Sequence, residues 1–254
     1  MNSMKRKKRA ASAARMIGVL CFWILFWWGC STLYAKPAIF PTPADVFRAL
    51  FRMIGAPYVY LSIARSILHV LCGLLAGAVV GIIFGILIAR FRVADAFLTP
   101  FFSVMRSTPV VCFILLAWIF LGREVLPSFV SAIMVAPVIL TATVGALRQV
   151  DPRLLEAASV YHLSPRKRLI AVYFPSVLPA MRTSLVTCVG LAWKSCVAAE
   201  IIVFTRQTVG YGIWEARNWD SDYAAVFAWT IIIVTISIAF EKIAKFLLTR
   251  RYEE

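Results

Sequence analysis

The chain has 254 residues, of which 61% are hydrophobic and 15% charged, and its 27 Lys+Arg against 12 Asp+Glu give a formal net charge of +15. Mean hydropathy is +0.83. A soluble domain is about half apolar and about a quarter charged, so too few charges are present to cover a water-facing surface, and the same apolar excess excludes disorder. The apolar runs are continuous and helix-length, which excludes an outer-membrane barrel with its short alternating strands. These observations predict an all-α, polytopic membrane protein with about six transmembrane helices.

In chain order, a basic N-terminal tail (1–15) carries Lys5-Arg6-Lys7-Lys8-Arg9 and leads into a first span at 16–35. A secretory signal would have a shorter apolar region, roughly 7–15 residues, ending in a small-x-small site. Here the run closes on Leu33-Tyr34-Ala35-Lys36-Pro37, and Trp27-Trp28-Gly29 before Cys30 makes a poor lipobox, so a retained helix is expected. Residues 36–250 then hold five further spans, at 66–89, 109–122, 125–147, 178–204 and 224–248. The third is short; because 96–105 is apolar too, it is expected to begin earlier and to break at Pro100 or Pro109. A short tail, 251–254, closes the chain.

In the second span Gly73, Gly77, Gly81 and Gly85 recur every four residues. On a helix they form one flat stripe that lets another backbone approach closely, where lipid supplies no hydrophobic drive. In the fifth span Lys194 and Glu200 are ionisable residues at membrane depth. Their spacing puts them on different faces, so each needs a partner on another helix or a wet cavity, and both are candidates for a solute pathway.

The loop between spans 4 and 5, about 151–175, is the most informative segment. Asp151-Pro152 and Ser164-Pro165 each pair an N-cap residue with Pro at the first helical position. Two short helices are therefore expected, with a turn at His162-Leu163 and a basic face from Arg166-Lys167-Arg168: a knob suited to docking a soluble partner.

The charges orient the chain. With the N-terminus in the cytoplasm, inside segments hold 19 basic residues and outside segments seven, with Lys194 within a span. That asymmetry is the positive-inside signature and predicts that both termini lie in the cytoplasm. It removes the nucleic-acid reading that so basic a chain invites, since the basic residues flank spans and lack a stacking platform. The six cysteines are scattered singly, and with two histidines they offer no clustered metal set. There is no Gly-Lys dipeptide and hence no Walker A loop, so any ATP must bind to another subunit.

Glu156-Ala157-Ala158, with Phe174-Pro175 after a fixed gap, resembles the EAA loop of ABC importer permeases, with Val172 at the family's Ile position, Phe174 at its Leu and His162 at its Gly. The resemblance covers about 40–250. Phe40-Pro41-Thr42-Pro43-Ala44-Asp45-Val46, Val150-Asp151-Pro152-Arg153-Leu154-Leu155-Glu156, Ala199-Glu200 and Gly210-Tyr211-Gly212 look like the nitrate/sulfonate/taurine-type branch. The resemblance implies a membrane subunit without catalytic residues or cofactors of its own, with ATP and Mg held by partner ABC ATPase subunits. These would dock on Glu156, Ala157, Ala158, His162, Ser164, Pro165, Arg166 and Pro175. A second permease copy would complete the path, and an extracytoplasmic binding protein would deliver a small solute. An ion-coupled secondary transporter is the alternative, but it would show inverted repeats and broken mid-membrane helices. A membrane-embedded enzyme would need a nucleophile, metal or paired-carboxylate constellation.

Overall fold

The computed structural model describes residues 2–34, 36 and 39–249, with side chains described from 15 to 248 among them; the 251–254 tail lies outside the described residues. Described secondary structure is entirely helical: α1 (Asn2–Tyr34), α2 (Pro43–Ile54), α3 (Pro57–Arg90), α4 (Arg92–Ser107), α5 (Val110–Trp118), α6 (Leu126–Arg148), α7 (Pro152–Val160), α8 (Pro165–Arg168), α9 (Phe174–Val203), α10 (Val209–Asn218) and α11 (Tyr223–Thr249). A π-turn, Leu169–Tyr173, joins α8 to α9. Among the described residues, five helices are long and apolar enough to cross a membrane, or six if the bent pair α4–α5 counts as one span. Backbone groups in hydrocarbon have no water to bond, so helices that satisfy themselves are what such a chain forms.

The third span breaks at one of the two positions expected. Pro100 stays inside α4, whereas Thr108 and Pro109 are extended and the axis turns by 101° there. The residue before a proline is driven out of the α region, and this fixes the bend at Thr108. Helix α1 runs without interruption through the basic N-terminal segment, and its membrane-length apolar part is Arg15–Tyr34.

Two compact units are present. One holds the chain to Val59 and 212–232; the other holds 60–211 and the chain from Ile233. In the first, Ser31 Oγ donates to Phe40 O at 2.8 Å, and Trp27 stacks on Phe227 at 5.6 Å between centroids. The Phe40–Val46 motif has a local cause: Thr42 caps α2, accepting from Asp45 N at 3.3 Å while its hydroxyl donates to Asp45 Oδ2 at 2.6 Å, and Pro43 opens the helix. This arrangement fixes an amphipathic α2 that buries Val46, Ala49 and Met53. Gly212 has no side chain because the Trp229 indole fills that space; a Cβ there would lie 2.4 Å from Cε2.

The second unit is organised on α3, α6 and α9. Its core joins Val70, Val135, Ile139, Met181, Cys188, Ala192, Trp193, Cys196 and Val197. The glycine stripe of α3 lies against α6. A Cβ would sit 2.4 Å from Ser131 Cβ at Gly73, 2.7 Å from Ala132 O at Gly77, 2.6 Å from Ala136 O at Gly81 and 2.7 Å from Thr143 Cβ at Gly85. The stripe therefore serves packing within the chain. Ser131 Oγ continues the seam by donating to Ala192 O of α9 at 2.9 Å. The outward faces of α3 and α5 expose Leu68, Leu75, Ile83, Leu115 and Leu116, which suits contact with lipid.

Candidate functional sites: the 151–175 loop and the Glu200 clamp

The loop is built from its caps. Asp151 Oδ1 accepts from Arg153 N at 2.8 Å and Ser164 Oγ from Lys167 N at 3.5 Å, so α7 and α8 begin where the two proline dipeptides place them. Between them α7 ends in a Schellman motif. Leu163 N donates to Ala158 O and His162 N to Ser159 O, both at 3.0 Å, and His162 adopts φ 48°. This is the left-handed position that glycine occupies freely, and here a histidine bears the cost. Replacing it, His162→Gly, is expected to stabilise the protein by about 0.5–1 kcal/mol; a thermal melt in detergent checks this, and an unchanged or lowered melting temperature would refute it.

The second helix is not free-standing. α8, the π-turn and α9 form one apolar helical stretch, Pro165–Val203. Pro175 gives the reason for the π-turn: lacking an N–H, it cannot bond Ala171 O, and the preceding turn widens so that Phe174 N reaches Leu169 O, five residues back. The sequence motif thus marks where the loop feeds into the fifth span.

Ala158 is 3% exposed and packs with Val150 and Val172, flanked by Leu155, Leu163 and Tyr173. That contact accounts for a small residue at 158 and a branched one at 172. Glu156 and Ala157 are exposed, as are His162, Ser164, Pro165, Arg166 and Pro175. The brace between the two arms is Arg168, whose Nη2 donates to Ser159 Oγ and to Leu155 O at 3.4 Å. Sequence reasoning treated Arg168 only as one of a basic run. Nearby, Arg148 at the end of α6 pairs with Asp95 of α4 at 2.7 Å.

Glu200 and Lys194 occupy opposite environments. Glu200 is 0% exposed. Its Oε2 accepts from Ser66 Oγ at 2.7 Å and from Gly210 N at 3.2 Å, and His69 Nδ1 lies 3.0 Å from its Oε1. Val209 N donates to Ser66 Oγ at 3.0 Å and Tyr211 N to Thr208 Oγ1 at 3.2 Å. The first three N–H groups of α10 are thereby satisfied, two of them by the Ser66–Glu200 pair. A helix N-terminus is a favourable place for a negative charge, and the carboxylate stands at one. Gly210 is small because a Cβ would lie 2.5 Å from Glu200 Cβ. Ala199-Glu200 and Gly210 are thus two halves of one clamp that holds the segment after α9 to α3.

His69, Ser66 and Cys196 were missed by sequence reasoning, because nothing local in α3 points to residues far along the chain. The one available signal was that a buried Glu requires donors and that α3 carries a Ser and a His one turn apart. His69, Cys196 and Glu200 each place a ligand atom within 4.8 Å of the others, the arrangement of a metal set. Protein donors already meet both carboxylate oxygens, so hydrogen bonding alone accounts for the cluster.

Lys194 is exposed and lines a cavity of about 590 Å³ between α9 and α11, with Thr187, Gly190, Glu241 and Lys242 also on its wall. Of Lys194 and Glu200, it is the one that reaches open space.

The model of the family described as "Binding-protein-dependent transport system inner membrane component" matches residues 77–252. The chain belongs to that family. It is an ABC importer permease subunit, a multi-pass inner-membrane protein. The permease is 28% identical over 190 residues to the nitrate import permease protein NrtB of Synechocystis sp., covering 70% of this chain and 68% of that protein. It is 31% identical to the bicarbonate transport system permease protein CmpB of the same organism over 54% of this chain, a match that spans half of that relative's length. Taurine- and aliphatic-sulfonate-named permeases are also among its relatives, which places it in the nitrate/sulfonate/taurine branch. In fold, the permease superposes with TM-score 0.64 and 16% identity on a chain of a bacterial ABC transporter involved in import of the acidic polysaccharide alginate, covering 100% of both.

Proposed function

We propose that this permease forms, as a homodimer, the translocation path for a small solute delivered by an extracytoplasmic binding protein, and that the 151–175 loop couples the path to two ABC ATPase subunits. In this reading both termini and the loop lie in the cytoplasm, ATP and Mg reside in the partner ATPase, and this subunit carries no cofactor or catalytic group. The observation that supports it is the build of the loop: Glu156 and Ala157 are exposed on a short helix whose next residue, Ala158, is buried in the loop's own core. A knob held from behind in this way transmits a push as a rigid lever. Because α8 runs through the π-turn into α9, movement of the knob is delivered directly to the fifth span. Closure of the ATPase pair would then switch the path between inward- and outward-facing states, with Lys194 along it.

Two variants in one reconstituted uptake assay test this. Glu156→Arg is expected to weaken ATPase retention by about 1–2 kcal/mol, on the scale of an interface hot spot, and to lower uptake with it. Lys194→Met is expected to lower uptake while ATPase retention stays at wild type. Unchanged retention and uptake in Glu156→Arg would sink the coupling role, and wild-type uptake in Lys194→Met would remove that residue from the path.

A further inference from the structure

A second cavity, of about 990 Å³, lies between the loop and the ends of α3 and α6, away from the Lys194 cavity. Three guanidinium groups from three different elements line it: Arg90 at the end of α3, Arg148 at the end of α6 and Arg168 in α8. Ile86, Ala89, Leu147 and Leu169 give it an apolar wall, and Ser159, His162 and Tyr173 add polar groups. One feature marks it as unfinished. Arg90 is exposed and makes no ion pair among the described residues. Arg148 alone has a carboxylate, Asp95, and no acidic side chain lines the cavity.

We infer that this cavity binds one acidic phospholipid, with the headgroup phosphate among Arg90, Arg148 and Arg168. Guanidinium groups recognise phosphate through paired N–H donors, and basic pockets between helices at a membrane face are the usual setting for anionic headgroups. The apolar wall argues for a lipid over a soluble anion, because the glycerol and upper chain need a surface of that kind at the level where the spans end. Of the docking candidates, Ala158, His162 and Pro165 reach the lining while Glu156, Ala157 and Arg166 do not, so the cavity opens on the side of the loop that faces away from Glu156. A lipid held there would fill the space behind the knob and stiffen it against the ends of α3 and α6.

The test uses the full importer complex, purified in neutral detergent and presented with phosphatidylglycerol or phosphatidylcholine, with native mass spectrometry counting bound lipid. Wild type is expected to retain one phosphatidylglycerol per permease copy and to prefer it over phosphatidylcholine at least tenfold. Arg90→Glu is expected to abolish that preference and Arg90→Lys to keep most of it. Because Arg90 is exposed and supports no described contact, both variants are expected to assemble. Equal retention of the two lipids by wild type, or unchanged preference in Arg90→Glu, would overturn the proposal. Displacement of the lipid by millimolar inorganic phosphate would also overturn it, in favour of a soluble-anion site.

Discussion

Replacing Glu200 with Ala is expected to cost the permease about 3–5 kcal/mol, the combined scale of several buried donors left without an acceptor. The side chain is fully buried, and its loss strands Ser66 Oγ, the His69 ring and Gly210 N in the interior. Each orphaned donor costs about 1–3 kcal/mol, so the segment after α9 is expected to detach from α3. Little monodisperse protein should survive extraction. Glu200→Gln keeps a carbonyl oxygen for two of the donors and is expected to be intermediate in yield and melting temperature. A melt of the Ala variant that matches wild type would mean that the hydrogen bonds at Glu200 hold nothing in place.

Gly81→Leu is expected to be as damaging by a different route. The Cβ position already lies 2.6 Å from Ala136 O and 2.8 Å from Ile139 Cβ, and both belong to a helix whose backbone is packed on its other side against α9. Even Gly81→Ala forces the seam apart and is expected to cost about 1–3 kcal/mol, the usual penalty for overpacking. The leucine should prevent α3 and α6 from pairing altogether. Expression level and gel-filtration profile measure both variants. A monodisperse leucine variant at wild-type yield would show that the close approach of α3 to α6 is dispensable.

Much of this architecture was legible in the chain because membrane spans are written in local composition. The run lengths located the crossing helices, and the third span was expected to break at a proline. The caps at Asp151 and Ser164 were legible because they bond backbone groups two or three residues away. The glycine stripe was legible as a close-packing face, since a spacing of four is a straight line on a helix. Its partner was not, because small residues say that something approaches but not what. The fate of α8 was misread for a related reason. Ser164-Pro165 correctly marked a helix start, yet where that helix ends depends on how the chain absorbs Pro175, and the π-turn absorbs it without a break.

Lys194 and Glu200 mark the limit most plainly. By itself the sequence determined that Lys194 and Glu200 stand at membrane depth in one span and face different ways, since helical geometry requires it. It also determined the family, through motifs of fixed spacing in a single loop. Only the tertiary structure decided that Glu200 is sealed against Ser66, His69 and the start of α10, while Lys194 opens onto a cavity. The physical reason is distance along the chain. A cap, a span or a stripe is set by neighbours a few residues away, whereas Ser66 and His69, which help make the buried carboxylate tolerable, come from α3, more than a hundred positions earlier, and only packing brings them together.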